Sequence, residues 1–376
     1  MEHYKIRYGE STGNSLCNIN DLFSCAAVSA SKFSEFAGVP VALWGLAANF
    51  VLGGLFLTYA WGDEDKRAGV GRNVLTVAAL IALASVVMGT ISTFILSRFC
   101  PFCIIAYVLS FISFGTIWAY VRKSTPAVFS APLNAGMGSF ATFAVIALVG
   151  IFIIHQQALS QYNAKAIEPL IRDAIRSWQE QTPREIDTAG AMVMGAPADR
   201  ARMVITEFAD YRCIHCKMAA PSLKAFVTAH SEDVRLEFMN WPLDGECNTS
   251  IPQANGASCL LARAVYCVEK ATGKGWNAQA FVFDNQEKFI SKATVQSLLP
   301  EIAKAGDMDP KELETCADSP EIRTAIEKQA AVGSSLNLRG TPTIFVNGKK
   351  LDFGQRIQAL EEAYRLLQSG AGDTQR

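Results

Sequence analysis

Residues 203–216 read MVITEFADYRCIHC. The run Met203–Phe208 alternates as a buried strand does, and it passes through Ala209-Asp210-Tyr211-Arg212 into Cys213-Ile214-His215-Cys216. The following residues, KMAAPSLKAFVTAH, have helical spacing. Strand, turn and C-x-x-C at a helix start is the context that makes this motif a redox motif. A thiol at a helix N-terminus is acidified, because unpaired N–H groups and the helix dipole stabilise the thiolate. His215, between the two cysteines, would add a donor or a positive charge. Half of a zinc site is the competing reading, but no second Cys/His pair has ligand spacing, so no metal is expected.

Downstream, VRLEFMN at 234–240 reads as a second strand and residues 258–330 as largely helical. The module closes with Arg339-Gly340-Thr341-Pro342-Thr343, a strand Ile344-Phe345-Val346, the turn Asn347-Gly348 and a helix near 355–368. Cys247, Cys259, Cys267 and Cys316 lie in the helical part without C-x-x-C spacing. They read as structural disulfides, with three pairings open. Asn248-Thr249-Ser250 matches a glycosylation acceptor and is expected to be silent.

These elements resemble the thioredoxin fold of the DsbA family over about 185–370: E-F-x-D-Y-x-C-x-x-C, a helical insertion, then G-T-P-T before a strand. The resemblance implies that Cys213 is the exposed nucleophile and Cys216 the buried resolving thiol. It also implies that Glu207 is a buried carboxylate beneath the pair and Pro342 a cis proline beside it.

Upstream the composition changes. Residues 1–156 hold 16 of the 69 Asp, Glu, Lys and Arg side chains, and residues 157–376 hold the other 53. A single globular domain and a disordered chain are excluded by this split. A net charge of -1 without a Lys/Arg run leaves no nucleic-acid footprint. Residues 36–62, 73–97, 99–121 and 124–164 carry no charge. A span needs about 20 apolar residues, so membrane helices are expected near 38–60, 74–97, 102–121 and 138–156. Lys66, Arg67 and Arg72 lie between the first two spans and Arg122 and Lys123 between the last two, which predicts that both loops are cytoplasmic. Residues 1–37, the turn around Arg98–Cys103 and everything after 156 then face outward, and all ten cysteines share the oxidising side. Such an outward N-terminus needs a carrier, so a further apolar helix upstream of Met1 is expected.

Two more cysteine pairs fall on that side: Cys17 with Cys25, before the first span, and Cys100-Pro101-Phe102-Cys103, opening the third. Pro101 suits the first helical position, where its missing N–H costs nothing. A C-x7-C loop, G-x-P before a span and C-P-x-C opening a later one resemble the bacterial form of the vitamin K epoxide reductase family. That resemblance implies a helical bundle that reduces a quinone, ubiquinone or menaquinone, at Cys103. Cys17 would accept electrons from Cys213/Cys216, and Cys25 would exchange with Cys100. Tyr107 matches a quinone-site tyrosine, with a membrane-interface tyrosine as the alternative. Ser34 stands where some members have asparagine.

The expected architecture is a membrane α-helical bundle at 1–156, a connector at 157–184 interrupted at Pro169, and an α/β thioredoxin-like domain with a helical insertion at 185–376. The expected function is quinone-dependent oxidation of cysteines in exported proteins at a bacterial cytoplasmic membrane, with the bilayer and the quinone pool as further partners. Two other readings compete. An outward-directed reductase or isomerase would need a cysteine pair in the spans or facing the cytoplasm, and no cysteine is placed there. A non-catalytic metal-handling or thiol-sensing protein would use Cys213, His215 and Cys216 as ligands.

Overall fold

The structure is a computed structural model that describes residues 2–8, 25–96, 99–131 and 136–370. Contacts divide the chain into two units, one built chiefly from residues 15–164 and the other chiefly from 165–376.

The first unit is a helical membrane bundle. After the short helices α1 (Glu2–Tyr8) and α2 (Cys25–Ala30), a small hairpin pairs β1 (Glu35–Phe36) with β2 (Val39–Pro40). Four helices follow: α3 (Val41–Trp61), α4 (Glu64–Thr90), α5 (Pro101–Ser124) and α6 (Met137–Gln161). Each is long and apolar enough to cross a membrane, and the second span continues past α4 through a π-helical stretch, Ile91–Leu96. They start and end a few residues from the charge-free runs, because a helix continues into the polar boundary as long as its backbone bonds are satisfied. Glu64 and Asp65 lie in the first turn of α4, where the dipole favours negative charge, and Arg122 and Lys123 lie in the last turn of α5, where it favours positive charge.

Within this unit α3 packs against α4 and α6, and α4 against α5. The core between them holds Leu55, Tyr59, Val74 and Val121. At Gly54 the missing side chain lets α6 approach, since a Cβ there would lie 2.5 Å from the ring of Phe143. Most large apolar side chains of α5 point outward, and Val121 is the one residue of this helix that is buried. An outer surface this apolar suits lipid, because each exposed CH2 would be unfavourable in water.

The second unit is an α/β thioredoxin-like domain. Its sheet has the order β3 (Met192–Gly195), β5 (Val234–Asn240), β4 (Met203–Ala209), β6 (Thr343–Val346), β7 (Lys349–Lys350). Strands β4 and β5 run parallel, joined by α8 (Ile214–Ala229), and the other pairings are antiparallel. The β4 strand does not alternate as its sequence suggests. Six of its seven residues are buried, because it is central and covered on both faces. The first strand, β3, has no clear signal in the sequence. Asn347 and Gly348 have φ of 48° and 75°, the two positive values that a two-residue hairpin turn requires.

Six helices form the insertion: α9 (Ala257–Thr272), α10 (Gly275–Asp284), α11 (Lys292–Ser297), α12 (Leu299–Ala305), α13 (Pro310–Asp318) and α14 (Pro320–Ser335). Helix α15 (Ile357–Gln368) closes the domain. The three possible disulfide pairings resolve to Cys247–Cys259 and Cys267–Cys316. The first holds the segment after β5 to the start of α9, and the second holds α9 to α13.

The connector differs from expectation in two ways. Pro169 does not interrupt it, since α7 (Ala164–Glu180) runs through that residue at the cost of one backbone hydrogen bond. Nor is α7 a free spacer. Its apolar stripe Ile171, Ala174, Ile175 and Trp178 is buried, and the Trp178 indole donates to the carbonyl of Val346 at 3.1 Å. The break in helical structure comes earlier, at Tyr162–Asn163, with Asn163 in the left-handed region.

Candidate functional site

Two cysteine centres are described, one in each unit. In the thioredoxin-like domain, β4 ends at Ala209 and Asp210 shapes the turn that follows. Its carboxylate accepts from the N–H of Arg212 at 2.7 Å and from that of Leu243 at 2.9 Å. This places Cys213 at the N-cap of α8, half-buried, with Cys216 fully buried one turn in. The Cys213 thiol donates to the carbonyl of Thr341 at 3.2 Å, and the Thr341–Pro342 bond is cis, as the sequence leads one to expect.

The electrostatics separate the two thiols. Hydrogen bonding from Cys216 lowers Cys213 to about 6 against the opposing effect of burial, with further help from Thr341 and the backbone of Cys216 and His215. Burial pushes Cys216 well up. His215 therefore enters through its backbone N–H, while its side chain is exposed. Beneath the pair, Glu207 is buried and raised to about 8 by desolvation, with Lys224 pulling it down and Cys213 pushing it up. Its Oε1 has no hydrogen-bond partner among the described residues. Gln286, which the sequence did not single out, donates to the carbonyls of Tyr211 at 2.9 Å and Cys213 at 3.0 Å and so ties the insertion to the active turn. Gln286 carries no local motif, because its partners lie 73 and 75 residues away, whereas Asp210, part of the E-F-x-D-Y-x-C-x-x-C motif, is joined by Leu243 from 33 residues away.

The membrane unit repeats this arrangement. Cys100 is the N-cap of α5, Pro101 follows at N1, and the Cys100 sulfur accepts from the N–H of Cys103 at 3.4 Å. Cys25, at the start of α2, is disulfide-bonded, and its sulfur lies 3.0 Å from the Cys100 thiol, about 1 Å longer than a disulfide bond. Cys25 and Cys100 are buried together, with Val28 and Cys103 against them. Cys17 lies outside the described residues. Cys100 and Cys103, like Cys213 and Cys216, carry free thiols.

A quinone is a flat apolar ring with carbonyl acceptors, so its site needs an apolar wall and hydroxyl donors beside the thiol. Tyr107 lies one turn beyond Cys103 on the same face of α5. Across from it stands Gly89, where a Cβ would reach only van der Waals contact with the Tyr107 ring, 3.9 Å. Ser34 has a buried Oγ without a partner among the described residues. Cys103 and Tyr107 are the groups that would hold a quinone, and no described contact brings Ser34 to them. Among the described residues no three His, Cys, Asp or Glu side chains converge as a metal cluster.

Residues 1–118 match the Vitamin K epoxide reductase family, and residues 187–364 match a thioredoxin family. The chain joins a vitamin K epoxide reductase domain to a thioredoxin domain. Disulfide bond formation protein D of Bacillus subtilis is 25% identical over 43% of this chain and 69% of its own length. A probable disulfide bond formation protein D of Bacillus cereus is 24% identical over 44% and 75%. Among solved structures, oxidised BdbD of Bacillus subtilis is 23% identical, covering 50% of this chain and 98% of that one, with a TM-score of 0.42. DsbA2 of Pseudomonas aeruginosa is 24% identical over 52% and 100%, with a TM-score of 0.36. The chain is a membrane-spanning thiol-disulfide oxidoreductase.

Proposed function

We propose that this protein oxidises cysteine pairs of exported proteins and passes the electrons to a membrane quinone. The observation that carries the reading is the 3.0 Å contact between the disulfide-bonded Cys25 and the free Cys100 thiol at the start of a membrane helix. Thiol–disulfide exchange requires sulfurs in contact, and this pair is in contact.

In the proposed sequence a substrate thiolate attacks Cys213 of an oxidised Cys213–Cys216 pair, and Cys216 leaves as the thiol. A second substrate thiolate then releases Cys213, so two electrons and two protons enter the pair and the substrate gains a disulfide. Cys213, held near pKa 6, is a good leaving thiolate. Glu207, near 8 and buried beneath Cys216, can give or take the proton of that thiol. The dithiol next reduces the Cys17–Cys25 pair, and Cys25 exchanges with Cys100. Cys103 and Tyr107 hold the far end of the chain of sulfurs, where a bound quinone supplies the two-electron acceptor. Both loops rich in Lys and Arg are placed in the cytoplasm, so that residues 25–37, Cys100 and the thioredoxin domain share the outer side of a bacterial cytoplasmic membrane. Domain limits of 1–156, 157–184 and 185–376 go with this reading.

Anaerobic mixing of the purified protein with a reduced substrate and either ubiquinone or menaquinone tests it. Quinol should appear in proportion to the thiols lost. Substrate oxidation that leaves every quinone untouched would rule out the final acceptor.

A further inference from the structure

A groove of about 700 Å3 adjoins the thioredoxin-type dithiol. It begins at Thr341 and Pro342, beside the Cys213 sulfur, and runs to Ser177 of α7 and Gln181 just beyond that helix. Arg184, Arg339 and Lys350 line it, and no carboxylate does. Lys350 is held by Asp352 at 2.9 Å. Arg184 donates one N–H to the carbonyl of Leu336 at 3.2 Å, and neither arginine forms an ion pair among the described residues. Both are exposed.

We infer that this groove selects, among reduced substrate chains, those with aspartate or glutamate flanking the reacting cysteine. The inference rests on the oxidising role proposed above and adds the substrate class to it. A chain whose sulfur reaches Cys213 must pass Thr341 and Pro342, and its neighbouring residues then lie over Arg184 and Arg339. A guanidinium presents two parallel donors to a carboxylate, which an uncharged or cationic side chain cannot match. The exchange step is unchanged. The substrate thiolate forms a mixed disulfide with Cys213 as the Cys213–Cys216 bond breaks, and a second substrate thiol resolves it.

An acidic flank raises the pKa of the substrate's own thiol and so slows its reaction with any neutral disulfide. A preference for acidic flanks must therefore come from the protein. The test uses the full chain in detergent, oxidised at Cys213 and Cys216, and dicysteine peptides that differ only in flanking Asp, Ser or Lys. Each rate is divided by the rate of the same peptide with 2-hydroxyethyl disulfide.

At low ionic strength the normalised rate for Asp peptides should exceed that for Lys peptides about fivefold, the effect of two exposed ion pairs. At about 1 M salt, where the screening length is ~3 Å, the ratio should fall toward one. In the double variant Arg184→Glu with Arg339→Glu the order should reverse, a ratio within one protein sample that general loss of fold does not mimic. Equal normalised rates in the unaltered protein, or an unchanged order in the variant, would overturn the selectivity. If 2-mercaptoethanol is oxidised while the peptide ranking is flat, only the selectivity fails. If no thiol is oxidised at all, the oxidising role fails and the selectivity with it.

Discussion

Cys213 and Cys216 are the same residue type three positions apart, and their surroundings make them chemically different. Cys213 lies half-buried at a helix start, whereas Cys216 has no exposure at all. Because the folded pKa of Cys213 lies below the ordinary 9.0, its thiolate stabilises the reduced fold. That contribution is complete above pH 9.0 and lost as pH falls through about 6. Alkylation of the reduced protein by iodoacetamide should accordingly show a midpoint near pH 6, and a midpoint near 9 would contradict the geometry. Glu207 has the opposite sign. Raised to about 8, it favours the fold below pH 4.5, and this is lost as pH rises through 8. A Glu207→Gln protein should therefore lose less stability than the parent between pH 6 and 9 in a thermal scan. It should also resolve Cys213 mixed disulfides at least about tenfold more slowly, if the carboxylate serves as the proton acceptor for Cys216.

At the scale of elements, two helix starts do the same work in different solvents. Helices α8 and α5 each take a cysteine as N-cap, and in α5 the Cys100 sulfur accepts from the N–H of Cys103, which would otherwise be unpaired. The pairing of α2 with the start of α5 brings Cys25 to Cys100. A Cys103→Ser variant, in which Cys100 cannot return to its own partner, should accumulate a Cys25–Cys100 disulfide. Peptide mass spectrometry without reductant would detect it, and its absence would argue that the 3.0 Å contact is not a route for exchange. Packing gives a second test. Trp178 is 1% exposed and joins α7 to the sheet through its indole N–H. Truncation to alanine should cost about 3–5 kcal/mol, read as earlier unfolding of the thioredoxin domain and as proteolysis near α7.

At the scale of the whole molecule, the chain keeps ten cysteines in two classes. The insertion disulfides Cys247–Cys259 and Cys267–Cys316 span 12 and 49 residues. They constrain the unfolded chain, whereas the free pairs Cys100/Cys103 and Cys213/Cys216 are available for exchange. Replacing Cys267 and Cys316 together by alanine should destabilise the domain by about 2–5 kcal/mol while leaving the Cys213 alkylation profile in place. A profile that moved with it would mean that the insertion also shapes the active turn, through Gln286. The proposed orientation is checked by labelling in intact cells, where an impermeant thiol reagent should reach the partly exposed Cys103 and Cys213 from outside. Reaction from the cytoplasmic side alone would break the proposed path of electrons.

Much of this protein is written in local pattern. Charge-free runs mark the four membrane helices because lipid excludes ions over a fixed thickness, and C-x-x-C after a strand marks a redox helix start because three residues make nearly one turn. The thioredoxin fold and the helical bundle were readable for the same reason, and the cis bond at Pro342 only through the resemblance to the DsbA family. Tertiary structure decided what depends on residues far apart. It chose one of three disulfide pairings, brought Cys25 against Cys100 across 75 positions, buried the stripe of α7 and collected Arg184, Arg339 and Lys350 around one groove. No local rule encodes such meetings, because burial and chain closure over tens of residues set them.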